Sequence, residues 1–154
     1  MIKGSLNPLF SISAIGAQVE AWAYKKEMEI YHELCRIGET FANAARDKTP
    51  AQGSFTNRTG ALNGSIGYAV LKDGIVKKKD LQGNSTGKAA AQELIDELAK
   101  KQNEGWVLIG FAGMEYAAAV EALGFDVITG STPVASELIS TLKKELNAEF
   151  GLSV

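Results

Sequence analysis

The chain has 154 residues, of which 45% are hydrophobic, 16 are Lys or Arg and 18 are Asp or Glu. This length is typical of one domain, and the apolar content suffices for one hydrophobic core. The net charge of −2 lacks the basic excess that a dedicated duplex-DNA-binding protein usually carries. We therefore predict a single domain over residues 1–154, with no nucleic-acid partner indicated by charge.

The apolar runs of the chain are too short for a membrane span of about 18–20 residues. The opening MIKGSLNPLFSISAIG carries polar residues and a proline where a secretion signal needs an unbroken apolar region. Cys35 is the sole cysteine, so no intrachain disulfide can form, and its predicted role is that of a small buried hydrophobic residue. These features predict a protein that is neither exported nor membrane-bound and that fits a reducing cytoplasm.

The first predicted element is a long helix over residues 16–47, preceded by an N-terminal arm over residues 1–15. Its core-facing row recurs at steps of three and four residues: Ile30, Leu34, Ile37, Phe41 and Ala45. A second apolar row, Tyr24, Met28, Tyr31 and Cys35, widens the apolar arc to roughly 180°. One sheet seldom covers so wide an arc, so either two elements of this chain cover it or a neighbouring subunit does. Exposed aromatic and Met side chains are typical of interfaces, and we predict that Tyr24, Met28 and Tyr31 form a subunit contact.

After this helix, Lys48-Thr49-Pro50 predicts a helix end, and residues 51–64, rich in Gly, Asn, Ser and Thr, predict a loop. The run SIGYAVL, residues 65–71, alternates as a β-strand does. Asp73-Gly74 favours a type I′ hairpin turn, and IVKKK, residues 75–79, would be the returning strand. Residues 80–87 predict a second loop.

The remaining chain predicts three further helices and two further strands. A helix over about 88–103 places Ala91, Leu94, Ile95 and Leu98 inside, and pairs Asp96 with Lys100 and Glu97 with Lys101. WVLIGFA, residues 106–112, is apolar on both faces and predicts a central strand. A short helix near 115–123 and a strand near 125–129 follow.

The last predicted helix has Thr132 as its N-cap and Pro133 at its first position. Ala135, Leu138, Leu142, Leu146 and Phe150 lie along one face of it. The order of elements predicts an α+β fold: a long N-terminal helix and a C-terminal helix packed on a small, mostly antiparallel sheet of about four strands.

Two patterns suggest binding chemistry and fail in detail. In GNSTGKAA, residues 83–90, three residues separate Gly83 from Gly87 and Ala89 follows Lys88, whereas a phosphate-binding loop needs four residues and then Ser or Thr. A polar loop leading into a helix is the simpler interpretation. His32 and Cys35 lie one helical turn apart, but the chain has no other His or Cys to complete a zinc site. We therefore predict no metal and no cofactor.

Two clusters of charge remain. Lys77, Lys78 and Lys79 could contact a phosphate backbone, but lysines on an edge strand also prevent sheet-to-sheet aggregation, which is the interpretation we favour. Glu115, Glu121 and Asp126 are close in sequence, yet their spacing assigns no general acid and base. With one histidine and no nucleophile motif, we predict that the protein has no catalytic residues and is not an enzyme.

Two short motifs resemble a known family. TP at 49–50 followed by RTGALNGSI at 58–66 resembles the P…TG.L..SI segment of a family of siphophage-type head–tail connector and tail-completion proteins. YAAAVE, residues 116–121, after a strand that carries Gly110, resembles that family's YA..VE turn. The family usually places a glycine nearer this glutamate, whereas Ala122 and Leu123 here precede Gly124. The helix at 88–104 would be an insertion.

This resemblance implies a structural protein of a bacteriophage or prophage neck or tail. It would close the tail, or join it to the head, as a ring of subunits. Its expected partners are copies of itself and neighbouring neck and tail proteins, and DNA would meet it only by passing through the ring. The expected location is the virion, with assembly in the host bacterial cytoplasm. Two alternatives are a nucleotide-binding or enzymatic domain built on residues 83–90 and a small DNA-binding module that uses the three lysines.

Overall fold

The computed structural model describes residues 11–48, 51, 61–82, 85–102, 104–113, 117, 122 and 127–150. The chain divides into two compact units, Met1–His32 and Glu33–Val154. The first helix, α1, spans Ile12–Arg46 and contributes to both units. The packing described below lies within the second unit, and the described part of the first unit is helical from Ile12 to its end.

Helix α1 begins after a serine cap that the sequence interpretation missed. The Ser11 hydroxyl accepts a hydrogen bond from the Ala14 amide at 3.1 Å, which satisfies one of the free donors of the first turn. The helix therefore begins four residues before the predicted position 16, and part of the predicted N-terminal arm is helical. It ends at Arg46, before the Lys48-Thr49-Pro50 stop signal, of which Thr49 and Pro50 lie outside the described residues.

The sheet contains three antiparallel strands in the order β2-β1-β3 within the described residues: β1 is Ile66–Lys72, β2 is Ile75–Leu81 and β3 is Trp106–Ala112. Asp73 and Gly74 both have positive φ, 51° and 74°, as the predicted type I′ turn requires. The Asp73 amide donates to the Gly105 carbonyl and the Asp73 carboxylate accepts from the Gly105 amide, at 2.9 and 2.8 Å. The turn therefore also fixes the start of β3.

Strand β1 is the central strand, which corrects the prediction that residues 106–112 would be central. Six of the seven β1 residues are buried, whereas β3 is mostly half-buried at an edge of the described sheet. Gly67 and Ala69 make β1 look less apolar than β3 in the sequence. They are small because another part of the chain lies very near: a Cβ on Gly67 would be 2.2 Å from the Asp80 carbonyl oxygen.

Helices cover the two faces of the sheet. On one face, helix α3, Ser85–Lys101, packs Ala91 and Ile95 against Ala69, Leu71 and Phe111. On the other face, Gly38 and Phe41 of α1 lie against Tyr68 and Gly110. A second group of buried residues surrounds the end of α1: Ala45, Leu62, Ile66, Ala117 and Val127. The predicted core row of α1 is buried from Leu34 to Ala45, and Ile30 is half-buried.

Several further boundaries differ from the prediction, among them the end of β2, which extends to Leu81 in the second predicted loop. Residues 61–65, the last four of the predicted loop and the first strand residue, form a short helix, α2, spanning Ala61–Ser65. Its Ser65 hydroxyl donates to the Leu62 carbonyl at 2.7 Å, and the Asn63 amide donates to the Arg46 carbonyl at 3.1 Å. These side-chain hydrogen bonds stabilise a helical turn in a segment whose composition is typical of a loop. Helix α3 begins at Ser85, within the second predicted loop, and ends at Lys101.

The predicted fourth strand near 125–129 does not form in the described residues. Val127 and Ile128 are bends, and Thr129–Ser131 is a 3₁₀ helix; Phe125 and Asp126 lie outside the described residues. The last helix, α4, spans Thr132–Phe150, so the predicted C-terminal helix forms and begins one residue before the predicted Pro133. Thr132 is not its N-cap, however, because its backbone is already helical and its hydroxyl donates to the Ile128 carbonyl at 3.3 Å. The fold is therefore α+β with three described strands.

Candidate assembly surfaces

The N-terminal part of α1 exposes a concentration of large apolar side chains. Residues 11–24 carry one charged side chain, Glu20. Five large apolar residues of this stretch are exposed: Ile12 at 87%, Ile15 at 43%, Val19 at 58%, Trp22 at 48% and Tyr24 at 66%. Contiguous exposed apolar patches of several hundred Å² are often interaction sites, and the four of these side chains that share one face of the helix, at roughly 100–150 Å² each, reach that size. The N-terminal part of α1 therefore carries a large exposed apolar surface.

The exposed side chains of this segment lie on two faces. Ile12, Ile15, Val19 and Trp22 follow one another at steps of three, four and three residues, which places them on one stripe of the helix. We call these four residues the apolar row. Tyr24 lies about 120° from Ile12 around the helix axis at 100° per residue. A partner that covers the apolar row therefore leaves Tyr24 for a different contact.

The predicted interface residues Tyr24, Met28 and Tyr31 have graded exposure. Tyr24 is exposed, whereas Met28 and Tyr31 are half-buried. The ring of Tyr31 lies 5.2 Å from that of His32, tilted by 57°. Such tilted ring pairs are typical of stable aromatic contacts. The role of the three residues as a subunit contact remains a prediction.

A cavity of about 170 Å³ opens within the second unit, between the C-terminal half of α1, the sheet and α4. Its lining is mostly apolar and includes three residues with hydroxyl groups: Gly38, Phe41, Tyr68, Leu108, Gly110, Ile128, Thr132, Ala135, Ser136 and Ile139. This volume compares with the roughly 150 Å³ of an engineered cavity that binds benzene. The cavity can therefore hold one ring or one branched aliphatic side chain.

Two glycines shape this cavity. A Cβ on Gly38 would lie 2.2 Å from the Tyr68 ring, and one on Gly110 would lie 2.4 Å from the Phe41 ring. These distances are far below the roughly 3.5–4.0 Å of ordinary carbon contacts. Each glycine therefore allows one aromatic ring to lie flat against backbone, which brings α1 close to the sheet beside the cavity.

Tyr68 forms part of the cavity lining and is held at its hydroxyl. Its side chain is buried, and the hydroxyl donates a hydrogen bond to a Glu39 carboxylate oxygen at 3.1 Å. Burial raises the pKa of Tyr68 well above its usual value, and the negative charge of Glu39 raises it further. Tyr68 is therefore a neutral, positioned ring and not a base.

Helix α4 has an incompletely covered apolar face. Ala135, Leu138, Leu142 and Leu146 of the predicted core row are half-buried, and Val134 is exposed; the side chain of Phe150 lies outside the described residues. Core helices normally bury such a row fully. The mouth of the cavity and the face of α4 thus form a second apolar surface, within the second unit.

An ion pair closes the end of α1 against the sheet. The nearly buried Arg46 guanidinium lies 2.7 Å from the Asp80 carboxylate and also donates two hydrogen bonds to the Ile66 carbonyl, at 3.1 and 2.6 Å. This geometry satisfies both groups with charge-assisted bonds.

Earlier in the same helix, the Glu33 carboxylate accepts a hydrogen bond from the Arg36 guanidinium. This bond lowers the pKa of Glu33 and raises the pKa of Arg36.

The structure brings none of the predicted chemical candidates into a described site. His32 is exposed, as predicted, and Cys35 is half-buried, whereas a buried cysteine was predicted. Among the residues that the structure describes, no group of three or more His, Cys, Asp or Glu could hold a metal ion. Glu115, Glu121 and Asp126 lie outside the described residues, as does Gly83 of the glycine-rich stretch.

The lysine run and Lys88 are exposed. Lys77, Lys78 and Lys79 lie on β2, which is an edge strand of the described sheet, as the aggregation-blocking interpretation expects. Lys79 donates to the Gln92 side chain of α3. Lys88 lies in the first turn of α3 and is exposed. The nucleotide-binding and DNA-binding alternatives remain predictions.

Sequence reasoning missed the cavity and the apolar row. The only signal for the cavity is the placement of Gly38 and Gly110 within regular elements, where glycine is otherwise unfavourable. The apolar row fell within the predicted arm and the first turns of the helix, where the Ser11 cap was the missed start signal. Among the described helices, none combines the length and apolarity that crossing a membrane requires. Comparisons with protein-family models, curated proteins and solved structures found no match to this chain.

Proposed function

We propose that this protein is a structural subunit of a bacteriophage or prophage neck or tail, which closes the tail or joins it to the head as a ring of subunits. The observation that carries the proposal is the exposed apolar surface of residues 12–24, with five large apolar side chains and one charge. A helix that is apolar on more than one face is buried in its working state. The motif resemblance at 49–66 and 116–121 supplies the biological setting.

The α4 face supports the same proposal from the second unit. Half-buried leucines along α4 and an open apolar cavity are surfaces that a neighbouring subunit can complete. Obligate oligomer interfaces resemble a domain core divided between chains. An enzyme would instead use the cavity for a substrate, with at least two reactive groups in mutual reach. The cavity lining offers only hydroxyls of Tyr68, Thr132 and Ser136 as polar side chains.

The test is genetic complementation of a phage or prophage in which this gene is disrupted. We expect electron microscopy of the disrupted phage to show heads and tails that fail to join, or tails whose ends are not closed. Wild-type protein supplied in trans should restore infectious particles. Complete infectious particles without the protein would refute the proposal. Intact particles that lack one chemical step, such as cleavage of a nucleic acid, would show an enzyme instead.

A matched pair of variants tests the surface itself. Tyr24→Asp replaces an exposed aromatic ring with a charge. Lys25→Asp, the control, introduces the same side chain at the neighbouring residue, where the native side chain is already charged and its ion pair with Glu29 is exposed and contributes little. We expect Tyr24→Asp to abolish complementation and Lys25→Asp to retain it. Both proteins should give the wild-type circular dichroism spectrum, since neither position is buried. Equal complementation by both variants would exclude Tyr24 from any essential contact.

A further inference from the structure

The structure contains two apolar surfaces that differ in shape. The apolar row (Ile12, Ile15, Val19 and Trp22) is convex and lies in the first unit. The cavity is concave and lies entirely in the second. We propose that the apolar row of one copy of this chain binds the cavity and α4 face of a second copy, with the Trp22 ring as the anchor. This inference rests on the proposed assembly role and names its contact.

The spacing of the apolar row suits this mode of binding. A helix that lies in an apolar groove presents anchors at i, i+3 and i+7, and Ile12, Ile15 and Val19 have this spacing. Trp22 extends the row by three residues. Because the spacing is helical throughout, all four side chains reach one groove without bending the helix.

The size and polarity of the cavity suit the Trp22 ring. A volume of about 170 Å³ exceeds that of a cavity that holds benzene, about 150 Å³, so the six-membered part of an indole fits. A buried indole N–H needs an acceptor, and the Thr132 and Ser136 hydroxyls line the cavity. Trp is also among the side chains that contribute most to binding at protein interfaces.

The area of the row meets the requirement for a specific contact. Four side chains at roughly 100–150 Å² each expose on the order of 500 Å². With an equal area on the second copy, the contact buries about 1,000 Å², which is the lower limit for a specific interface. Contacts in the ring through the other face of the helix, where Tyr24 lies, would add to it.

A contact between two different surfaces of the same chain is head-to-tail. Such contacts close into rings when the rotation permits and otherwise form filaments, whereas a contact of the row with itself would form a two-fold dimer. The head-to-tail contact therefore also explains how a chain with one row and one cavity can form a ring. This difference in symmetry is the basis of the test.

Two full-length variants each remove one half of the contact. Trp22→Glu removes the anchor at an exposed position, and Ser136→Glu places a charge at an exposed position of the cavity lining. Ala17→Glu is the matched control, because residue 17 is exposed and lies about 140° from Ile12 around the helix. Both new charges in the two test variants are negative, so the defective row cannot bind the defective cavity.

The measurement is mass by sedimentation velocity at increasing concentration. We expect the wild type and Ala17→Glu to form species larger than a dimer, and each test variant alone to lose self-association by about a hundredfold or more, because a buried charge lacks a partner. An equimolar mixture of the two variants should form a heterodimer that grows no further, since one intact row meets one intact cavity. Circular dichroism confirms that each variant is folded.

Several results would overturn the inference. They are a wild type that stays monomeric or stops at a dimer, a Ser136→Glu variant that assembles normally, or a mixture that remains monomeric. A wild type that stays monomeric in solution but still restores particles in the complementation test would leave the proposed function standing and remove this contact. A wild type that assembles in solution but fails to restore particles would leave this contact standing and remove the proposed function.

Discussion

Replacing Gly38 with alanine tests how closely α1 lies on the sheet. The added Cβ would lie 2.2, 2.5 and 2.8 Å from three carbon atoms of the Tyr68 ring. Compared with the usual contact distance of about 3.5–4.0 Å, these overlaps are roughly 0.7–1.8 Å. The ring is fully buried and its hydroxyl is bonded to Glu39, so a shift of the ring into the neighbouring cavity would strain or break that bond. Either α1 or the ring must shift.

The expected cost follows from two opposing effects. Overpacking a core costs about 1–3 kcal/mol, and three close contacts with a held ring place Gly38→Ala at the upper end. Alanine is favoured over glycine in a helix by about 0.8–1.0 kcal/mol, which offsets part of this cost. We expect a net loss of about 2 kcal/mol in the free energy of unfolding, equivalent to a fall of roughly 4–8 °C in Tm for a chain of this size.

Urea unfolding followed by circular dichroism measures this loss, and Gly16→Ala is the control within the same helix. A Cβ on Gly16 would have nothing within 4 Å, so only the helical preference acts there, and we expect no loss of stability. Combining Gly38→Ala with Tyr68→Leu should cost less than the sum of the two single changes, because the ring that clashes is gone. Additive effects, or a Gly38→Ala protein as stable as the wild type, would refute the close approach of α1 to Tyr68.

Three further predictions concern the second unit. Arg46→Met should lower the free energy of unfolding by about 2–3 kcal/mol, because the Asp80 carboxylate loses its partner in a partly buried site. Urea unfolding measures the change, and a loss below about 0.5 kcal/mol would show that the ion pair is dispensable. Because the pKa of Tyr68 is raised in the folded protein, the neutral hydroxyl contributes its full stability below the unfolded-state pKa of about 10. Above that pH the contribution is lost by up to about 1.4 kcal/mol per pH unit. Tyr68→Phe should remove this part of the alkaline loss of stability, and identical stability–pH profiles for the two proteins would contradict the assignment. The buried Ser131 hydroxyl has no hydrogen-bond partner among the described residues, so Ser131→Ala should be neutral or stabilising by up to about 1 kcal/mol, and a loss above 1 kcal/mol by thermal unfolding would reveal a partner.

The parts of the fold that the sequence predicted are those fixed by local chemistry. The core row of α1 follows from helical periodicity, and the hairpin follows from the tolerance of Asp73-Gly74 for positive φ. The start of α4 was predicted to within one residue, at Pro133, although Thr132 lies in the helix and does not cap it. Each of these signals depends on residues within one or two turns of one another, so no knowledge of distant packing was needed.

The errors arise where distant packing decides. Strand β1 was not recognised as central, because its alternation of large and small residues is typical of a strand with one solvated face, whereas helices cover both of its faces. The small residues on one side make room for α3 and β2, which sequence spacing does not reveal. The predicted strand at 125–129 failed similarly, since Val127 is buried in a bend beside Ala45 and Ile66. Burial of an apolar run requires only a close neighbour, not a particular secondary structure.

Apolar periodicity also cannot say which molecule covers a helix face. The row from Leu34 to Ala45 and the row from Ile12 to Trp22 both recur at steps of three and four residues, yet the first is buried in its own chain and the second is exposed. What distinguishes them is glycine: Gly38 and Gly110 allow aromatic rings to lie directly on backbone where α1 meets the sheet, whereas a Cβ on Gly16 would touch nothing. At Gly38 and Gly110 the close neighbours, Tyr68 and Phe41, belong to the same chain, so this part of α1 is covered in the subunit itself. A row of exposed large side chains without such fitting is a surface whose neighbour arrives by association, and the affinity of that association depends on anchors such as Trp22.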